Sequence, residues 1–425
     1  MTRDGSEALK VACRLGILEL PRHICYNAAE GGHTLPGNAV LPAHQGMVIT
    51  RDLQEIACLL ALDVPFETAQ RLLVWETREA EMICTTEIRR LVRIHGEIIR
   101  AAEAAEVQEL LARDDLSTLH AQLVEAPAPR RPAAWAAEIQ TAVEQALEAE
   151  TSQAPEGVQS SDWERVLCAR REERLALHQL RRLGPTVQPD QAIAAVDDIE
   201  VRRPARRRFL ALRTARFTTR QGIRYLSGSA ELVLTQLYLL CVVSVGLTGR
   251  ITVLGDGARW ISTFFRERLA DFVNKELLVD WYHLVKKCYE LTGMICRGRK
   301  AKASLMGQLI PLLWRGKVAE ALLLLEAYRA ESRNTDKLDE LCTYLTNRQP
   351  YIVDYKESRA QREYIGSGHA EKANDLIVAR RQKHQGMHWS LATADGLAAL
   401  KTLALNHGWD RYWSDHQVLP LAISA

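Results

Sequence analysis

The chain has no strong excess of charge of either sign: 55 lysines and arginines stand against 53 aspartates and glutamates, a net +2 in 425 residues. Bulk charge therefore carries no argument for a nucleic-acid or membrane partner, and any such argument rests on where the charges lie. The nine cysteines include no CxxC pair, and an odd, scattered set of this kind reads as reduced thiols rather than a disulfide framework. His23, Cys25, His33 and His44 likewise lack zinc-ligand spacing. The opening MTRDGSEALK has no apolar h-region, which argues against ordinary secretion and, with the reduced thiols, for a cytoplasmic protein. No internal repeat is found. One apolar run, Leu232 to Gly249, approaches the length of a membrane span, but Thr235, Gln236, Ser244 and Thr248 interrupt it. A helix buried on all sides gives the same signal, and no membrane partner is expected.

With 47% hydrophobic and 25% charged residues, the composition is that of a globular chain of two to four domains. Residues 1–46 give no clear fold. Residues 47–124 carry helical periodicity, in RDLQEIACLLAL, FETAQRLLVWE and TTEIRRLVRIHGEIIRAAEA, separated by Asp63-Val64-Pro65 and a break near Thr77. Three helices with short turns suggest a helix-turn-helix whose third member presents Arg89, Arg90 and Arg93 near its start, where a recognition helix meets a major groove. A packed trihelical unit with a solvated arginine face is the plainer alternative. Residues 125–190 contain two stretches rich in Pro, Ala, Gly or Ser, EAPAPRRPAAW and TSQAPEGVQSSD, which read as linkers around further helices.

From Gln191 the pattern changes to strands: AIAAVDDIEV, RFLALRTARFTT and GIRYLSG. A long apolar helix follows, then the strand RITVLGD and a short fifth strand, ELLVD. Three strands, a helix and a fourth strand make the core order of a ribonuclease-H-like fold, a mixed α/β sheet. Asp256, at the end of a buried strand between Gly255 and Gly257, is a binding position by geometry. Asp197 lies in the first strand beside Asp198, and alternation after Val196 turns Asp197 to the face of Ile199. At Gly366 the string GSGHAEKANDLIVARRQKHQGMHWS feeds a helix carrying Glu371, Asn374 and Asp375 on neighbouring turns. Two aspartates on adjacent strands and one carboxylate on a following helix are what a two-metal phosphoryl-transfer enzyme of this fold needs, with two ions roughly 3.5 to 4 Å apart. Hard oxygen ligands select Mg²⁺, with Mn²⁺ as a substitute. Taken singly, each acid also fits a plain surface or helix-end carboxylate.

The strings VDDIEV, GDGARWI, LLVDWYHLVKK and GSGHAEKANDLIVARRQKHQGMHWS resemble the DDE transposases of bacterial insertion sequences, in the branch similar to Mutator-like and hobo/Activator-like transposases. The resemblance covers about residues 191–390. It implies a catalytic and metal-holding triad at Asp197, Asp256 and Glu371, and the family's C/DxxH motif at Asp280 to His283. Asp280 and His283 then tune the metal site or position a nucleotide, with a helix cap and a satisfied histidine as the alternative. A shifted first-strand register would make Asp256 and Asp280 the metal pair. The resemblance also implies an all-helical insertion before the last acid, expected at 297–360 between core parts 191–296 and 361–425.

Arg202, Arg203, Arg206, Arg207, Arg208, Arg213, Arg216, Arg220 and Arg224 form a run without an acid on the second and third strands, which suggests a row of guanidinium groups against phosphates. Arg380, Arg381 and Lys383 form a second basic patch, and Trp389 beyond them suits stacking on an unpaired base. The function expected from all this is Mg²⁺-dependent cleavage of double-stranded DNA at an element's terminal inverted repeats, then strand transfer into target DNA. It would be carried out by a homodimer or higher assembly in a prokaryotic nucleoid. A catalytically silent DNA-binding protein and a nuclease without strand transfer are the alternatives.

Overall fold

The computed structural model describes residues 2–27, 31–34, 47–80, 82–113, 187, 190–203, 209–360, 363–366, 368–383, 387–415, 417–418 and 420–421. The linker stretches expected within 125–190 and the arginines 206, 207 and 208 lie outside the described residues. The architecture is mixed α/β.

A four-stranded sheet opens the chain. β1 (Thr2–Cys13) and β2 (Gly16–Asn27) form a long antiparallel hairpin, with β3 (Gly32–Thr34) on one edge and β4 (Met47–Ile49) parallel to β1 on the other. Its turn sits at Gly16, whose φ of 131° is open only to glycine. Much of the hairpin faces solvent; Leu9, Val11 and Val48 form a small cluster of their own, and Ala12 and Ile17 at the turn end pack on the core of the helices that follow. Helices α1 (Arg51–Asp63), α2 (Phe66–Thr77) and α3 (Thr85–Leu111) follow where the periodicity predicts them.

The second sheet is built from β5 (Gln191–Arg202), β6 (Phe209–Thr218), β7 (Ile223–Gly228), β8 (Arg250–Gly255) and β9 (Asn274–Val279), in the order β7-β6-β5-β8-β9. β5 to β7 are an antiparallel meander, while β8 and β9 run parallel to β5. The crossover from β7 to β8 is α4 (Ala230–Val245), capped by Ser229 and apolar around its whole circumference because it is buried against the sheet. This is the run long enough to raise a membrane span, and no helix among the described residues is long and apolar enough to cross a membrane. A short helix α5 (Arg259–Thr263), extended by a π turn, precedes β9.

After β9 the chain becomes helical: α6 (Trp281–Ile295), α7 (Arg299–Trp314), α8 (Val318–Ala327), α9 (Thr335–Arg348) and α10 (Tyr355–Ala360). These share their own core, with Tyr355 fully buried against Trp281 and Trp314. α11 (Gly368–Asn374) then returns to the sheet and continues through a π turn into α12 (Arg380–Gln382). α13 (Leu391–Leu405) and α14 (Trp409–Asp415) close the chain.

The N-terminal helices are not a detached unit. α1, α2 and α3 share one hydrophobic core with α13, α14 and the far ends of β5 and β6. α3 and α13 cross at Gly96 and Gly396, so closely that a Cβ on Gly96 would stand 2.3 Å from the Gly396 Cα. Arg100 on α3 reaches Asp395 at 2.9 Å, Glu103 at 2.7 Å and the Ser227 hydroxyl at 3.0 Å, which joins helix, helix and sheet in one polar knot. His95 is buried in the same interface, between the Tyr412 hydroxyl at 2.7 Å and Gln54 Oε1 at 2.9 Å.

Candidate active site

Strand register assembles the acids. On β5, odd-numbered residues face α11: Ile193 and Ala195 pack with Ala370, and Leu254 of β8 and Leu278 of β9 share that face. Even-numbered residues Ala192, Ala194 and Val196 face α4. The parallel pairing sets Ala195 against Leu254, and Leu254 against Leu278. Two residues further along each strand direction stand Asp197, midway along β5, and Asp256 and Asp280, each the first residue past the carboxyl end of β8 and β9. The register thus separates the Asp197-Asp198 pair as alternation predicts. Asp198 turns to the opposite face, where it pairs with Arg213, whose guanidinium lies 4.8 Å from the Trp260 ring centre.

Each acid is held differently. Asp197 Oδ1 accepts the Asp198 backbone N–H at 2.8 Å, and Asp197 Oδ2 accepts the side-chain amide of Asn374 at 2.7 Å. Asn374 is itself fixed, because its Oδ1 accepts the Thr214 hydroxyl from β6. Burial, with the like charge of Asp256 added, pushes the Asp197 carboxyl up to about 6. Asp256 is half-buried, and its Oδ1 accepts the Ala258 N–H at 2.8 Å, closing a tight turn through Gly257 at φ 79°. The Gly257 carbonyl accepts from Arg348 at 2.8 Å, and a Cβ on Gly257 would stand 2.5 Å from that guanidinium.

Asp280 is almost wholly buried and caps α6, accepting the His283 backbone N–H at 2.8 Å. The His283 ring stands between carboxylates: Nδ1 lies 3.3 Å from Asp280 Oδ1, and Nε2 lies 4.0 Å from Glu371 Oε1. Hydrogen bonding to Asp280, with the charges of Asp197 and Asp256 added, holds the imidazole above its ordinary range against the opposing effect of burial. Both readings of this motif therefore have a basis. Asp280 is a helix cap, and His283 also faces the other acids. Glu371 comes from the first turn of α11 and is exposed toward His283.

Two participants carried no clear sequence signal. Asn374, one helical turn after Glu371, orients Asp197; its i+3 spacing from the expected acid was the available clue. His369 lies on the same helix, where burial and then Arg216, with which it is in contact, push it down to about 4.

The donor set fits a hard divalent cation. Asp197, Asp256 and Glu371 offer carboxylate oxygens, and the raised Asp197 carboxyl is a crowded acid that a cation would neutralise. Among the described residues, however, no three His, Cys, Asp or Glu side chains converge on one point ready to seat an ion.

The expected DNA contacts divide. Arg93, Arg202 and Lys383 are exposed, and Arg203 is partly so. Arg89 is exposed and pairs with Glu67 at 3.0 Å, while Arg380 pairs with Asp375 at 2.8 Å. Arg90 is chelated by Glu87, Arg213 is taken by Asp198, and Arg224 is buried, donating to the Pro420 carbonyl. Arg213, with no acid beside it in sequence, is answered by Asp198 from the neighbouring strand, whereas the acids that hold Arg90 and Arg380 stand three and five residues away on their own helical segments. Arg381 and Trp389 do not form the exposed patch and stacking face expected of them. Arg381 is buried and donates to the Ala61 carbonyl at 2.7 Å, and Trp389 is buried with its indole N–H given to the Gln382 carbonyl at 2.9 Å. The indole packs in the core against Phe66, so it has no free face for an unpaired base.

Compared with protein-family models and with curated proteins, the chain matches none.

Proposed function

We propose that the protein is a DDE-type transposase with a ribonuclease-H-like core, cleaving DNA at an element's ends and joining them to a target. One observation carries this reading: Asp197 on β5 and Asp256, directly after the neighbouring parallel β8, lie close enough for their charges to interact, and the helix that packs on β5 and β8 through Ala370 brings in Glu371. The strand order, with an antiparallel meander followed by two parallel strands, and the helices between β9 and α11 agree with it.

In this reading Asp197, Asp256 and Glu371 hold Mg²⁺ or Mn²⁺. When bound, the ions lower the pKa of an attacking water or 3′-hydroxyl and stabilise the leaving oxygen in an in-line phosphoryl transfer. The chain's own residues set the stage. Asn374 and the Asp198 N–H fix both oxygens of Asp197, and the turn through Gly257 fixes Asp256. Asp280, locked as a helix cap, holds the His283 ring among the acids, where a protonated imidazole donates to Glu371 or to a phosphate oxygen.

The test is an excision and integration assay in cells with a marker flanked by the element's own ends. Wild type mobilises the marker, and Asp256→Asn and Glu371→Gln abolish mobilisation while remaining folded and bound to the ends. An inert wild type that still binds the ends favours a silent DNA-binding protein. Cutting without joining favours a nuclease. Deleting the residues before Gln191 cannot separate these readings, because α3 is part of the core that α13 and the sheet complete.

A further inference from the structure

A cavity of about 380 Å³ lies away from the acidic row, where the starts of α2 and α3 meet the segment leading into α13. Its walls include Phe66, Glu67, Arg89, Arg381 and Trp389. Arg381 is the unusual member. It is 6% exposed, and its guanidinium lies 5.0 Å from the Phe66 ring centre and 4.9 Å from that of Trp389. Nε is given to the Ala61 carbonyl and Nη1 to the Met387 sulfur, but Nη2 is buried with no hydrogen-bond partner. A buried guanidinium nitrogen left open is costly, so an acceptor that reaches it is held strongly.

Arg89 stands on the same cavity with its guanidinium 5.3 Å from the Phe66 ring centre. Its partner Glu67 is 68% exposed, so this ion pair is weak and readily exchanged for a stronger acceptor. Two forked cations over one aromatic floor, one of them unsatisfied, match the oxygens of a phosphate better than any neutral group. Burial holds the Arg381 guanidinium down to about 10, still charged at neutral pH. The position suits a long substrate as well. The Trp389 backbone N–H donates to the carbonyl of Arg202 at the end of β5, five residues from Asp197, a span of about 17 Å at about 3.3 Å per residue.

We propose that this cavity is a phosphate seat in which Arg381 and Arg89 receive one backbone phosphate of bound DNA, away from the site of cleavage. The proposal rests on the DNA-processing reading above for its choice of DNA, but the pocket itself does not.

The test has two arms on the full chain. In the first, inorganic phosphate is titrated at constant ionic strength and followed by calorimetry for wild type, Arg89→Gln and Arg381→Lys. Saturable binding weakened at least about tenfold in Arg89→Gln is expected. Arg89 is exposed, so that variant keeps the test valid even if Arg381→Lys fails to fold. In the second arm, binding of labelled duplexes of several sequences is measured against salt. Arg89→Gln should weaken all of them alike and reduce the slope of log K against log salt by about 0.9, the value for one phosphate contact. Phosphate binding unchanged in both variants overturns the seat. Phosphate binding lost with the DNA slope unchanged overturns the assignment to DNA in favour of a free phosphate-bearing molecule, while DNA binding and cleavage, and with them the functional reading, stand. A wild type that binds phosphate but no DNA overturns the DNA assignment together with the functional reading.

Discussion

The middle and the far end of β5 are built on opposite terms. At Asp197, like charges crowd together, and burial beside Asp256 holds a carboxyl near 6 that would sit near 4 in water. Toward Arg202, the strand enters a core where α3 crosses α13 at van der Waals limits and Arg100 is matched by Asp395, Glu103 and Ser227. The first region gives up stability to crowd its acids, and the second supplies the stability that keeps them in place. Altering the acids should therefore abolish activity without unfolding, and altering the crossing should unfold the chain.

The sharpest break is expected at the acids. Asp256→Asn and Glu371→Gln should each lower DNA cleavage by at least about 1000-fold, roughly 4 kcal/mol of lost transition-state stabilisation, with unchanged circular dichroism. At the far end, Arg100→Met should cost about 3 kcal/mol in urea unfolding, because it leaves Asp395 and Glu103 facing a partly buried space without their cation. Gly96→Ala should cost about 2 kcal/mol. Alanine is the better helix former, but its methyl meets the Gly396 backbone, which cannot move as a side-chain tip can.

The smallest effect has the opposite sign. Asp197→Asn sets an amide NH2 against one of the two donors that Asp197 accepts, a cost independent of pH. Relative to wild type, however, its metal-free stability should rise by about 1 kcal/mol between pH 4 and 7, discounted from the full shift for the solvent that reaches the site. A carboxyl whose folded pKa is raised binds its proton more tightly in the folded state. The destabilising contribution is then absent below about 4, grows as pH rises, and is complete above about 6. The stability of Asp197→Asn relative to wild type should follow that course in melting temperatures measured from pH 3.5 to 7.5. A difference of the same size at every pH would assign the effect to packing rather than charge.

The same contrast marks what the sequence discloses. Strand alternation is a local signal, so the opposite facing of Asp197 and Asp198 could be read directly, as could the helix that carries Glu371. Local signals fail where partners are distant in sequence. Nothing beside Arg213 shows that Asp198 from the neighbouring strand will take it, and Arg381 and Trp389 read as a surface patch because Phe66 and Ala61, which bury them, lie some 300 residues away. The N-terminal hairpin was illegible for another reason. With most of its residues exposed on both faces, β2 carries little of the alternation by which a half-buried strand is recognised. Asn374 was visible as a residue, but its role depends on Thr214 from a different strand.

The central claim is that Asp197, Asp256 and Glu371 act as one cation-holding set, and titration of the folded chain with Mn²⁺, followed by electron paramagnetic resonance, tests it most directly. The account predicts saturable Mn²⁺ binding in wild type, displaced by Mg²⁺, and weakened at least tenfold by Asp256→Asn and by Glu371→Gln but not by Asp198→Asn. Binding that is absent in wild type even with DNA present, or indifferent to Asp256 and Glu371, would contradict it.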